Sequence, residues 1–163
     1  MKVDSIPKIT LRSATLSDWV KVADILIGSR AAFMPYAPSA HSEADVRSWV
    51  QEHLIPSGRV TLAEFDDGVA GLVATSVVED ITWIDQMWVR PTEVGQGIGS
   101  LLLHHIVRSA PTKLKLYTFQ ENVGARSFYE RNRFTAAKFT DGSGNEEHCP
   151  DVLCERILEQ PTP

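Results

Sequence analysis

ITWIDQMWVRPTEVGQGIGSLLLHHIVR, residues 81–108, reads as a strand, a glycine turn and a helix. The strand is Ile81–Val89, rich in β-branched and aromatic residues. Arg90 and Pro91 end it, because proline cannot donate to a ladder. Gly95, Gly97 and Gly99 follow, bracketing Gln96 and Ile98. After Ser100 the residues Leu101, Leu102, Leu103, Ile106 and Val107 take helical spacing. Glycines at a helix start leave backbone N–H groups bare and let an anion approach closely. The helix dipole adds partial positive charge there. The stretch is a candidate phosphate seat built from main chain. The same glycines would also serve a tight, ligand-free strand-to-helix turn.

Two nucleotide-binding patterns are excluded. A P-loop needs Lys and then Ser/Thr after its last glycine, and Ser100-Leu101 stand there. A dinucleotide fingerprint needs G-x-G-x-x-G, and its third glycine falls on Ser100 or Leu102. A second stretch, Glu121-Asn122-Val123-Gly124-Ala125-Arg126-Ser127-Phe128-Tyr129-Glu130, reads as a short helix. Asn122 is a good N-cap. Ala125, Phe128, Tyr129 and Asn132 recur at i, i+3, i+4 and i+7 and share one face. A small residue at Ala125 lets a ligand chain lie against that face. Tyr129 adds a phenol to the same wall, unless its role is core packing with a satisfied hydroxyl.

In this order the two stretches resemble the signatures of the GNAT N-acetyltransferases. Val94-Gly95-Gln96-Gly97-Ile98-Gly99 is similar to the acyl-CoA signature [Q/R]-x-x-G-x-[G/A], with Val94 at the usual Gln or Arg position. Residues 122–130 match N-x-x-A-x-x-F-Y-E, and Arg133 replaces the glycine usual just beyond. The resemblance covers roughly residues 9–157. It implies an α/β (α+β) GNAT fold: a mixed, twisted central sheet flanked by helices. In that fold the parallel strands Ile81–Val89 and Lys113–Phe119 splay apart, with acetyl-CoA in the gap. It implies direct acetyl transfer to a primary amine in a ternary complex, with no metal. Val94, Gly95, Gln96, Gly97, Ile98, Gly99 and Ser100 would hold the pyrophosphate. A backbone N–H around Met87, Trp88 or Val89 would face the oxyanion. Asn122, Ala125, Phe128 and Tyr129 would line the pantetheine.

Tyr129 matches the family's general acid. A phenol of pKa ~10 protonating a thiolate of pKa ~8.5 is uphill by about 2 kcal/mol. For the acceptor's proton, relatives carry groups near Trp83 and Asp85, and only Asp85 can serve. On a regular strand Trp83, Asp85, Met87 and Val89 share one side, and a bulge would change that parity. Asp85 is either the base or a structural carboxylate bonded to neighbouring backbone. The alternative function is an acyl-CoA-binding regulatory module without turnover, supported by Val94, Arg133 and the open question of the base.

The rest of the chain sets bounds. Its 163 residues suit one domain, with a core over about 8–157. Hydrophobic residues make up 43% and charged residues 23%, ordinary for a globular protein. A net charge of −5 argues against nucleic acid, which needs a basic face. It mildly favours a cationic acceptor, either a small molecule or a peptide amine. Met1–Ser5 shows no signal-peptide pattern, and no apolar run reaches the ~20 residues of a membrane span. Cys149 and Cys154 are too few for a disulfide framework, so a cytoplasmic protein with reduced thiols is expected. Exposed strands in the family often pair, which leaves room for a homodimer.

Ile9–Arg12 reads as a strand. A first helix starts at the capping-box shape Thr15–Asp18 and ends near Gly28–Arg30. Ala31–His41 reads as a loop, a lid on the core or a wall of the acceptor site. Ser42 starts a second helix, and Arg59–Phe65 and Val69–Val78 form a hairpin across Asp66-Asp67-Gly68. Ala110-Pro111-Thr112 breaks the chain. Lys113–Phe119, Phe134–Phe139 and Asp151–Ile157 are strands, and Glu159–Pro163 a tail. Asp141–Asp151 carries Asn145 and the acids Glu146 and Glu147, and its acidic residues are able to seat a cationic acceptor, cap a loop or form a dimer contact. His148, Cys149 and Cys154 lack a fourth ligand at zinc spacing.

Overall fold

Along residues 60–65 and 68–78 the side chains alternate between two buried layers, and that alternation builds the centre of the sheet. The computed structural model describes residues 8–66, 68–110 and 112–159. The expected segments Met1–Ser5 and Gln160–Pro163, and the expected turn and break at Asp67 and Pro111, lie outside them. β1 (Thr10–Ser13), β2 (Val60–Phe65), β3 (Gly68–Val78) and β4 (Ile81–Val89) form an antiparallel run. β5 (Lys113–Phe119) lies parallel to β4, and β7 (Asp151–Ile157) and β6 (Thr135–Phe139) complete the order β1-β2-β3-β4-β5-β7-β6. A parallel neighbour requires a crossover, which the helix α3 below supplies.

Leu62 and Leu72 face one layer, with Val22 and Leu26 of α1 (Trp19–Phe33) and with Val50, which follows α2 (Glu43–Trp49). Ala63 and Val73, one residue on, face the other layer. There they meet Leu102 and Leu103 of α3 (Ile98–Ser109) and Tyr129 of α4 (Val123–Arg131). Residues 69–74 of β3 are all buried because both faces are covered.

The helix starts follow local chemistry. The Asp18 carboxylate accepts from the Thr15 N–H at 2.7 Å and from Arg12 at 2.8 and 2.9 Å. The Arg12 hydrogen bond is the main reason its pKa lies well below the ordinary carboxylate range. The Ser42 hydroxyl accepts from the Asp45 N–H at 3.1 Å. α1 runs past the expected end at Gly28–Arg30 to Phe33. Gly28 lowers helix propensity, but Ile25, Leu26 and Ser29 bury the surrounding turns, and packing outweighs propensity. The following loop therefore starts at Met34, whose side chain is buried, as is that of Ala37.

Candidate active site

Parallel pairing of β4 with β5 covers only Ile81–Lys113, Thr82–Leu114 and Trp83–Lys115. Beyond Trp83 the two strands part, while β5 stays paired to β7 along its length. On its other side β4 stays paired to β3 through Val89, with one irregularity. Ala74 opposes Gln86 and Thr75 opposes Ile84, so Asp85 is the extra residue of a bulge. The bulge reverses the strand's parity. Ile84 lies in the α3–α4 layer, and so do Met87 and Val89, which a regular strand would put opposite it. Trp83, Asp85, Met87 and Val89 thus do not share one side, as a regular strand would have had it. Trp83 stacks on Tyr117 with ring centroids 5.9 Å apart, and Trp88 packs with the α1–α2 layer.

The gap between the strands is a cavity of about 280 Å³. Asp85, Met87 and Trp88 line one wall, and Asn122, Ala125 and Tyr129 line another. Tyr129 is buried between Phe128 and Phe134, at 5.3 and 5.4 Å between ring centroids. Its hydroxyl donates across the gap to Met87 Sδ at 3.7 Å. Burial pushes its phenol pKa up. Asn122 caps α4, its Oδ1 accepting from the Ala125 N–H at 3.2 Å. Asp85 is exposed, yet partial desolvation raises its carboxyl pKa, opposed by the Ser76 hydroxyl and the Arg59 charge.

The glycine turn reaches the same place. Gly95 and Gly97 have φ of 87° and 84°, the left-handed region that glycine adopts freely. Gly95, Gln96 and Gly97 are exposed, and Val94 is 55% exposed on extended backbone. The Leu101 N–H donates to the Gly97 carbonyl at 3.1 Å, leaving the N–H groups of Ile98, Gly99 and Ser100 without helical partners. The Ile98 side chain is core, so only its main chain is offered to a ligand. A Cβ built on Gly99 would stand 3.5 Å from Phe128 Cζ and 3.9 Å from Met87 Cε. The helix start therefore abuts both walls of the gap.

A second cavity, of about 650 Å³, adjoins the first. Both are lined by Arg30, Met34, Gln86, Trp88 and Glu147. Arg30 donates to Glu147 at 2.7 Å and to the Ala37 carbonyl at 3.2 and 3.3 Å, tying α1, the loop after it and the β6–β7 loop together. The β6–β7 loop divides by role. Asn145 donates to the Cys149 carbonyl at 2.8 Å and to Asp151 at 3.1 Å, and Thr140 donates to Asp151. Gly142 is held at φ 83° against Cys149 backbone, where a Cβ would collide at 2.4 Å. Those residues shape the loop, whereas Glu146 and Glu147 face the cavity. The reading of separate segments missed Arg30, Gln86 and Trp49 as lining residues. Each looks like an ordinary helix or strand residue until three elements converge.

Among the described residues, no group of three His, Cys, Asp or Glu side chains is placed to hold a metal ion. A family model described as the acetyltransferase (GNAT) family matches residues 28–134. PaiA N-acetyltransferase from Thermoplasma acidophilum, solved in complex with coenzyme A, superposes with a TM-score of 0.74 at 19% identity, over 92% of this chain and 99% of that one. The ribosomal-protein-S18-alanine N-acetyltransferase from Escherichia coli gives 0.73 at 20%, over 95% and 97%. Ard1 from Thermoplasma volcanium gives 0.74 at 15%, over 93% and 99%. At these identities the structural likeness concerns the fold. No curated protein matches the sequence closely enough to lend it an activity.

Proposed function

Because this chain belongs to the acetyltransferase (GNAT) family, we propose that it is a single-domain N-acetyltransferase moving the acetyl group of acetyl-CoA directly to a primary amine. The observation that carries the reading is the gap beyond Trp83–Lys115, with the bare start of α3 against one end and Tyr129 in its wall.

Acetyl-CoA is a substrate whose parts suit these residues. The N–H groups of Gly95–Ser100 would take the pyrophosphate, helped by the helix dipole. Val94 offers its main chain there and no side-chain hydrogen bond. The pantetheine arm would run between β4 and Ala125, beside Asn122 and Phe128. A backbone N–H of Met87–Val89 would stabilise the oxyanion as the amine attacks the thioester carbonyl. The C–S bond then breaks, and the Tyr129 hydroxyl is placed to hydrogen-bond or protonate the departing thiolate. Asp85 is the candidate acceptor of the amine's proton. Its raised pKa brings it closer to the neutral range where a general base works. Two buried free thiols, Cys149 and Cys154, accord with the reducing cytoplasm where acetyl-CoA is made and used.

The test is release of free coenzyme A thiol from acetyl-CoA across a panel of amines. Amine-dependent release is expected. Stabilisation by coenzyme A with no release for any amine would turn the reading toward a binding module without turnover.

A further inference from the structure

We infer that the acceptor is an amine bearing a second, distal cationic group, which lies in the larger cavity while the reacting nitrogen reaches the gap. This inference rests on the acetyltransferase reading. The two cavities meet at Gln86, Trp88 and Glu147, so an acceptor entering the gap from this side leaves its remainder in the larger space. At about 650 Å³ that space is the size of a small-molecule site, far more than one ammonium fills.

Its lining states the chemistry. Trp49 and Trp88 give it indole walls, and the Trp88 N–H is fixed by donation to Gln86 Oε1 at 2.8 Å. Four carboxylates face it: Glu43, Asp45, Glu146 and Glu147. The cationic groups at the wall are already engaged. Arg30 is held by Glu147 and the Ala37 carbonyl, and His41 lies 2.8 Å from Glu146. Arg47, one turn along α2, pairs with Asp24 at 2.8 Å. Glu43 and Asp45 stand exposed in the first turn of α2, and among the described residues neither carboxylate has an ion-pair or side-chain hydrogen-bond partner. Indole faces in a lining of four carboxylates against two basic side chains, Arg30 and His41, attract an ammonium and repel an anion. A neutral or acidic acceptor would leave that field unused.

Cadaverine and pentylamine test this, because they share a carbon chain and differ by one ammonium. With the full chain and acetyl-CoA, cadaverine should show a KM roughly fivefold or more below that of pentylamine. The double variant Glu43→Gln with Asp45→Asn should raise the cadaverine KM more than the pentylamine KM. Trp49→Ala should do the same, while Trp49→Phe, which keeps a ring, should recover part of the loss. Retained thermal stabilisation by coenzyme A shows that each variant is folded. Equal KM values for the two amines, or variants that shift both alike, overturn the inference and leave acetyl transfer standing. Coenzyme A binding without transfer to either amine overturns this acceptor class. Failure to bind coenzyme A overturns the acetyltransferase reading, and this inference with it.

Discussion

At the scale of single residues, Tyr129 and Asp85 make opposite demands on pH. Burial raises the Tyr129 pKa, so the phenol stays protonated through the neutral range. It is also a weaker acid than a free phenol, which favours a hydrogen-bonding role over complete proton transfer. Tyr129→Phe should lower kcat by roughly a hundredfold with little change in the acetyl-CoA KM. The hydroxyl's partner is a thioether at 3.7 Å, so stability should fall by less than about 1 kcal/mol. A large fall in the urea midpoint would instead make Tyr129 a structural residue. Asp85 must be ionised to accept a proton, and its pKa is raised. The rate should therefore climb with pH through a value above the ordinary ~3.9 of a carboxylate. In Asp85→Asn that rising limb should vanish, and a pH–rate profile unchanged in the variant removes Asp85 from the chemistry. The motif pointed to Tyr129, but the Asp85 bulge could not be read from its neighbours. A bulge is set by how β4 pairs with β3.

At the scale of elements, α4 ends in a residue the family pattern would not choose. Arg133 has φ of 68°, the left-handed region where glycine is free and a Cβ is strained. The chain turns there as a glycine would turn it, with the Arg133 N–H donating to Glu130 and the Phe134 N–H to Tyr129. Arg133→Gly should stabilise the protein by about 1 kcal/mol, or a Tm rise of roughly 2–4 °C. No rise would mean that side-chain contacts of Arg133 offset its strain. The start of α1 depends on Asp18. Its folded pKa is depressed, so its contribution is complete above the unfolded value of ~3.9 and is lost as pH falls through the folded value. Asp18→Asn should cost about 1–3 kcal/mol at neutral pH, and its difference from wild type should narrow below about pH 4. Urea midpoints at the two pH values check this. The capping role was legible in Thr15–Asp18, whereas the extension of α1 past Gly28 was not. It rests on contacts with residues far along the chain, Ser29 donating to the Val89 carbonyl and Arg30 to Glu147.

At the scale of the molecule, the candidate active site exists because β4 and β5 part beyond Trp83 while each stays paired to its other neighbour. A ligand that fills this gap binds the folded chain and not the unfolded one. Coenzyme A at about a hundred times its Kd should stabilise the protein by about 2.7 kcal/mol, a Tm rise of roughly 5–10 °C. Thermal unfolding with and without coenzyme A measures this, and an unmoved Tm would remove the phosphate seat at α3. The sequence by itself determined the order of strands and helices, the bounds of β4, β5 and β7, and the glycine turn. Those features are written in local periodicity, prolines and glycines. Only the tertiary structure decided the bulge at Asp85, the reach of α1, the clasp of Arg30 on Glu147, and the acidic cavity beside the gap. Each arises where segments distant in sequence meet, and no local pattern records which neighbours a residue will have.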